Sequence, residues 1–408
     1  MFLNGLILIV TLAAGVFLLA PRVAGLKTWR ATMTPLASII GSGFLVLGPI
    51  LVASFGKYAL LAMTALCLGA YLFGSAIRYN IRLRGERDTD PDALIARLET
   101  GASWTLAFAY VISVAYYLNL FGAFGVSLLP WNDAVHARLL TSLVLVLILT
   151  VGWLKGFRAL ERMEQVSVSI KLAIIMGLLA GLAIFVARKA GAGDLVLLAP
   201  KTHGWAGIAL TFGLVVTVQG FETSRYLGGT YDPETRIRSM RIAQMLSALI
   251  YMLYIGLVAF VFPRDQLHLE ETAIINMMRV VAPVLPLLLV AAALTAQFSA
   301  AIADTSGSGG LVTELTGGRI SERQAYAVLV GIGLALTWTA HLFEIISYAS
   351  RAFAVYYAIQ SAIAAISAYR KEGHWLKAGL YGAMAVLGIL IAIFGTPAEA
   401  GNGVTAQG

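Results

Sequence analysis

Charge is scarce in this sequence. Lysine, arginine, aspartate and glutamate make up 12% of its 408 residues, about half the roughly 25% of a soluble domain. No polar block is long enough to form a separate soluble domain. The longest, from Ile81 to Ser103, is the size of one interfacial helix with its flanks. Cysteine is nearly missing. Cys67 stands alone in an apolar stretch, which excludes a disulfide within the chain and leaves the redox compartment unread. Enzyme motifs are missing as well: there is no phosphate-binding loop, no paired-histidine metal motif and no nucleophile elbow. His136, His203, His268, His341 and His374 are scattered through connections and form no cluster. The expectation is a chain that is not an enzyme, with no cofactor and no metal. The net charge of +8 is spread over many short connections and does not indicate nucleic acid as a partner.

What is present is apolar. Hydrophobic residues are 59% of the chain, and they come in blocks of about 20, the length of a membrane-spanning helix. Twelve such stretches are read at 2–20, 32–54, 57–79, 103–129, 137–154, 166–187, 206–228, 239–262, 282–311, 324–340, 342–368 and 375–395. The fold class predicted is an all-α polytopic membrane protein of about 12 transmembrane helices, with the lipid bilayer as its solvent. Trp29, Trp104, Trp131, Trp205 and Trp375 fall near span ends, as interfacial anchors do. If the spans alternate, one side carries 19 Lys/Arg and the other 7. Cytoplasmic loops are the Lys/Arg-rich ones. Both termini are then extracytoplasmic, in an integral protein of the cell's inner or plasma membrane. The first span lacks a positive N-terminal flank and is read as a retained helix.

Two spans are interrupted. Gly41-Ser42-Gly43 sits inside the stretch 32–54, with Gly48-Pro49 after it, and Gly213 and Gly220 interrupt 206–228. Each glycine costs roughly 1 kcal/mol relative to alanine in a helix. A broken helix at membrane depth survives only where protein or a water-filled cavity satisfies its backbone. An unwound Gly-Ser-Gly exposes N–H groups that favour a carboxylate and carbonyls that accept from an ammonium group. The breaks open two five-span groups, and five is odd, so the groups are inverted relative to each other. The expected organisation is residues 1–31 as an extra transmembrane helix and loop, 32–187 and 206–368 as inverted five-helix repeats, and 375–408 as a last helix and tail.

Three motifs carry a resemblance. Ile39-Ile40-Gly41-Ser42-Gly43-Phe44 resembles the signature of the first core helix in the amino acid–polyamine–organocation (APC) superfamily. Gly220-Phe221-Glu222 resembles that family's sixth core helix, and Lys171 the lysine of the fifth in sodium-independent members. The residues Leu227 to Pro233 depart from the acidic stretch usual after Gly-Phe-Glu, and the run from Ala291 to Glu314 looks more like the solute:sodium symporters. The resemblance implies a LeuT-like fold with a discontinuous first helix in each repeat. It also implies a secondary active transporter of amino acids or related small amines, working by alternating access.

The candidate residues follow. Ile40, Gly41, Ser42, Gly43, Val218, Gly220 and Phe221 would bind the small-molecule substrate at the breaks. Tyr117, with Tyr110, Tyr116 and Asn119, would shape its side-chain pocket. Lys171 either snorkels or, as the resemblance favours, takes the place of a sodium ion and couples transport to protons. Thr295 and Ser299, four apart on one helix face, sit where sodium-dependent relatives place ligands, and Asp304 is a candidate partner of Lys171. Glu222 and Arg351 are buried charges with gating or pairing roles, whereas Arg225, near a span end, is expected to snorkel. Two alternatives stay open: a sodium-coupled solute symporter, and a transporter-like membrane sensor or subunit.

Overall fold

In a bilayer each backbone N–H and C=O must be satisfied within its own segment, so long apolar stretches become helices. The computed structural model bears this out for residues 2–41, 43–85, 92–155, 158–229, 231–267 and 272–398, which are the ones it describes; all regular elements there are helical. In chain order the helices are α1 (Phe2–Leu19), α2 (Pro21–Ala24), α3 (Lys27–Ile39), α4 (Gly43–Phe55), α5 (Ala59–Gly85), α6 (Ala93–Val126), α7 (Ala134–Lys155) and α8 (Arg158–Gly191). After them come α9 (Gly204–Gly213), α10 (Pro233–Val258), α11 (Ala273–Val281), α12 (Leu285–Leu315), α13 (Glu322–Thr339), α14 (Leu342–Glu372) and α15 (Trp375–Phe394). Two 3-10 segments, Val215–Val218 and Phe221–Gly229, lie between α9 and α10.

Among the described residues, nine helical segments are long and apolar enough to cross a membrane. One of them, Gly43–Gly85, runs through parts of two expected spans. The stretch 206–228 is absent from the nine because its helix breaks after ten residues. The stretch 324–340 is absent because α13 opens on the polar turn Glu322-Arg323-Gln324.

Helix starts follow local chemistry. Asp92 caps α6 through the Leu94 amide, and Asp232 caps α10 through that of Thr235, with Pro233 at the first position. Ser321 and Gln324 form a reciprocal capping box on α13. At the other end of α14, Gly373 takes the left-handed conformation that closes a helix.

The core is built on α4, α6, α12 and α14. Every residue of α4 is buried, and α6 packs along both α12 and α14. By contrast α1 buries only Ile7 and lies against α8. Small residues permit the close helix approaches, as is usual in membranes. A side chain on Gly388 of α15 would come within 2.9 Å of Ala354 O and Ala358 on α14.

Candidate functional site

The site is made by two helix breaks that touch. At the first, α3 already contains Pro35 and ends at Ile40, whose ψ of 39° leaves the helical region. The Gly41 amide turns back to Ser38 O at 3.2 Å, one residue short of the helical partner Ala37. The last carbonyls of a helix have no partner within it, and here two of them find side chains from other helices. Lys171 of α8 donates from Nζ to Ala37 O at 2.7 Å. The hydroxyl of Tyr251, on α10, lies 2.9 Å from Ile39 O. Lys171 is 1% exposed, so its ammonium belongs to the interior and does not snorkel.

At the second break α9 stops at Gly213, Gln219 is extended, and Gly220 has φ 115°, a region open to glycine. Ser350 of α14 bridges this break: its Oγ donates to Gly213 O at 2.7 Å and accepts from the Val216 amide at 2.9 Å. Glu222 Oε2 accepts from the Gly220 amide at 2.9 Å and from the Tyr357 hydroxyl of α14 at 2.9 Å. Thr217 O accepts from the Tyr251 hydroxyl at 2.7 Å. Gln219 Nε2 donates to Tyr117 Oη at 2.7 Å, and Phe221 stacks on Tyr357 with centroids 5.2 Å apart.

Glycine is what lets the breaks meet. A Cβ on Gly43 would fall 2.5 Å from Thr217 Cβ and O, and one on Gly220 would fall 2.5 Å from Ser38 Cβ and Oγ. One on Gly41 would sit 2.9 Å from Ser38 O and 3.4 Å from Ala300 Cβ of α12. Ile40 and Val218 are buried beside the same junction, 1% and 3% exposed. Ser42 lies outside the described residues. Ile40, Gly41, Gly43, Val218, Gly220, Phe221, Glu222 and Tyr117 are therefore gathered at the two breaks, with Lys171 attached to the first.

The remaining candidates have partners outside the two breaks. Ser299 and Thr295 of α12 donate their hydroxyl protons to their own helix, to Ala296 O at 3.0 Å and Ala291 O at 2.8 Å. Asp304 is fully buried and accepts from Ser113 of α6; both it and Lys171 make further contacts besides these. Asn119 donates to Thr337 Oγ1 at 2.9 Å, and Tyr110 packs edge-on against Phe353. Arg351 is half-buried, not the buried charge expected, and it follows Ser350 on the side of the second break where the end of α15 packs near Gly213. Its guanidinium donates to Ala392 O and Ile393 O, both at 2.7 Å, closing the C-terminus of α15.

Arg225 departs from expectation. It is 8% exposed and pairs with Glu99, itself 7% exposed, and with Gln360 Oε1 at 2.9 Å, so an internal carboxylate holds it where headgroups were expected to. Glu99 also meets Arg84 at 3.4 Å, and with it lines a cavity of about 460 Å³ between α5, α6, α12 and α14. Sequence reasoning also missed Tyr251, Ser350, Tyr357 and Gln219. Three of them look like ordinary residues of apolar spans. Only Gln219, an amide directly before Gly220-Phe221-Glu222, carried a visible signal. Among the described residues no group of histidine, cysteine and carboxylates is placed to hold a metal.

Comparison with known proteins gives the family. A family model described as an APC superfamily transporter matches residues 21–395. An uncharacterized protein of Aquifex aeolicus (strain VF5) is 40% identical over 390 residues, covering 94% of this chain and 94% of its own length.

Proposed function

Because this chain belongs to the APC superfamily of transporters, we propose that it is a secondary active transporter of amino acids or related small amines, with its substrate site at the two breaks. The observation that carries the reading is the junction itself. Two interrupted helices meet at a buried point, and each break offers backbone groups to side chains from other helices. Interrupted helices meeting inside a membrane protein are how many transporters bind substrate and coupling ions.

The proposed architecture has twelve spans, including the two broken ones, arranged as inverted repeats over 32–187 and 206–368. Alternating access is motion of the broken helices about the junction. In the conformation described here Gly43 packs on Thr217 and Gly220 on Ser38, so a substrate carboxylate reaches the Gly41 and Gly43 amides only after the breaks separate. Two buried amides supply polar groups nearby. Gln219 Oε1 and both side-chain ends of Gln297 have no hydrogen-bond partner, and Gln297 precedes Ala300, the α12 neighbour of Gly41, by three residues on the same helix.

Coupling is proposed to be sodium-independent, by protons or exchange. Support comes from the Lys171 ammonium on Ala37 O, where a fixed cation already meets a carbonyl of the first break. Thr295 and Ser299 are the residues of the sodium-symporter alternative. The proposed orientation, both termini extracytoplasmic, is tested by single cysteines at 156 and 402 in a Cys67-free chain on intact cells. An impermeant reagent should label 402 alone.

Uptake into proteoliposomes from a panel of radiolabelled amino acids and polyamines tests the function. Accumulation of at least one, driven by a pH gradient or by exchange, is expected. Binding without uptake across the panel would instead support the sensor reading.

A further inference from the structure

Tyr251 is on α10, remote in sequence from both breaks, yet its hydroxyl reaches both. Its oxygen is 2.9 Å from Ile39 O and 2.7 Å from Thr217 O. A phenol has one proton to donate, so two carbonyls from two different broken helices share a single donor. Two carbonyl oxygens converging on one point repel each other unless something positive lies between them, and the repulsion is strong where water is excluded. Ile39 is 3% exposed and Thr217 1%. The backbone contact of Gly43 on Thr217 sets how near the breaks come, and the hydroxyl supplies the attraction that holds them there.

The ring is itself fixed. Tyr251 is fully buried and lies 5.8 Å from Phe44 of α4, centroid to centroid. A neighbour separates packing from hydrogen bonding. Tyr254, three residues on, packs more closely on the same Phe44, at 4.4 Å, but its hydroxyl has no hydrogen-bond partner.

We propose that Tyr251 is a positioning residue for transport: its hydroxyl proton joins the two breaks, filling from the polypeptide the place between two carbonyls that a small bound cation would otherwise fill. Lys171 does the equivalent at Ala37, two residues earlier on the same helix end. The chain thus brings two donors of its own to the end of α3, one shared with the second break. The inference rests on the breaks being the moving parts of the proposed transport cycle, and it does not depend on which amine or amino acid is carried.

Hydrogen exchange of the purified full-length protein, with no ligand added, reads the link separately from transport. Tyr251→Phe keeps the ring and removes the proton. Exchange should rise roughly tenfold, the loss of one buried hydrogen bond, in peptides covering 36–45 and in those covering 214–222 together. The rest of the chain should be unchanged, and Tyr254→Phe should change neither segment. No rise, a rise in one segment only, or a uniform rise throughout would overturn the proposal. If Tyr251→Phe does not fold, 3-fluorotyrosine placed at 251 gives a stronger donor of nearly the same shape, and exchange in both segments should slow; unchanged exchange would overturn the proposal. Proteoliposome uptake is then measured on the same variants. A linked rise in exchange in a protein that transports nothing would overturn the transport reading while leaving the hydroxyl link in place.

Discussion

The charged group at each break has the opposite sign: a lysine at the first and a glutamate at the second. At the first, carbonyls at the end of α3 accept from Lys171 and Tyr251. At the second, the amides of Val216 and Gly220 donate to the Ser350 hydroxyl and the Glu222 carboxyl group. A helix end carries partial negative charge and a helix start partial positive charge. A lysine at the end of α3 and an acid at the start of the segment after Gly220 are therefore each the favourable choice. The difference teaches what each break is suited to. One is built as an acceptor site already occupied by a fixed cation. The other offers both amides and carbonyls: Ser350 meets one of each, Glu222 takes an amide, and Tyr251 of α10 takes the Thr217 carbonyl.

The largest effect on uptake is expected at the acceptor break. Lys171→Ala leaves Ala37 O buried without its partner, and losing a buried hydrogen bond to a charged group costs about 1.5–3 kcal/mol. Proteoliposome uptake should fall by a factor of about 10 to 100, with chromatography showing whether the protein still folds. Retained uptake would remove Lys171 from the mechanism. A double variant sharpens the point. If Asp304 is coupled to Lys171, Lys171→Ala/Asp304→Ala loses less stability than the two singles added together, and additive losses would separate them.

Next come the glycines. Gly220→Ala meets two penalties at once, φ 115° and overlap with Ser38. Strain and overpacking each cost about 1–3 kcal/mol. Gly41→Ala has no left-handed φ, so it should be the milder of the two in thermal unfolding. The reverse order would mean that the second break is the softer one. Glu222→Gln follows. It keeps an acceptor for Gly220 and Tyr357 but removes the acid, and a loss of about 1–2 kcal/mol is expected, smaller than for Lys171→Ala.

Much of this was legible in the sequence, and for identifiable reasons. Gly41 and Gly43 marked the first break because two glycines around a serine oppose helix in any context. Lys171 stood out because a charge inside an apolar stretch demands a partner. The expected spans match the helices wherever the apolar run is continuous. They fall outside the nine apolar segments where a break shortens the helix, as in α9, or polar residues open it, as in α13. Arg225 misled because position in a span suggests snorkelling, while its partner Glu99 lies 126 residues away in the chain. Tyr251 and Ser350 were invisible because a hydroxyl in an apolar span reads as packing until the neighbouring backbone is known.

The smallest effect is at the rim. Lys27, at the start of α3, meets Asp232, the cap of α10, at 2.7 Å. The hydrogen bond from Lys27, with those from Thr235, holds the Asp232 carboxyl well below the usual carboxylate range. A folded-state pKa below the unfolded value adds stability above the unfolded value, about 4, and that stability is lost as pH falls through the folded one. Wild type and Asp232→Asn should differ slightly in melting temperature at pH 7, and the gap should narrow below about pH 4. A gap that widens in acid would contradict the assignment.

The central claim is that the acceptor break carries its own cation. Uptake of whichever panel amino acid is transported, into proteoliposomes of the wild-type chain with all sodium replaced by N-methylglucamine at a constant pH gradient, tests it most directly. The rate should be unchanged by the replacement. A rate that collapses without sodium and returns when sodium is restored would contradict the claim and make Thr295 and Ser299 the ligands to examine.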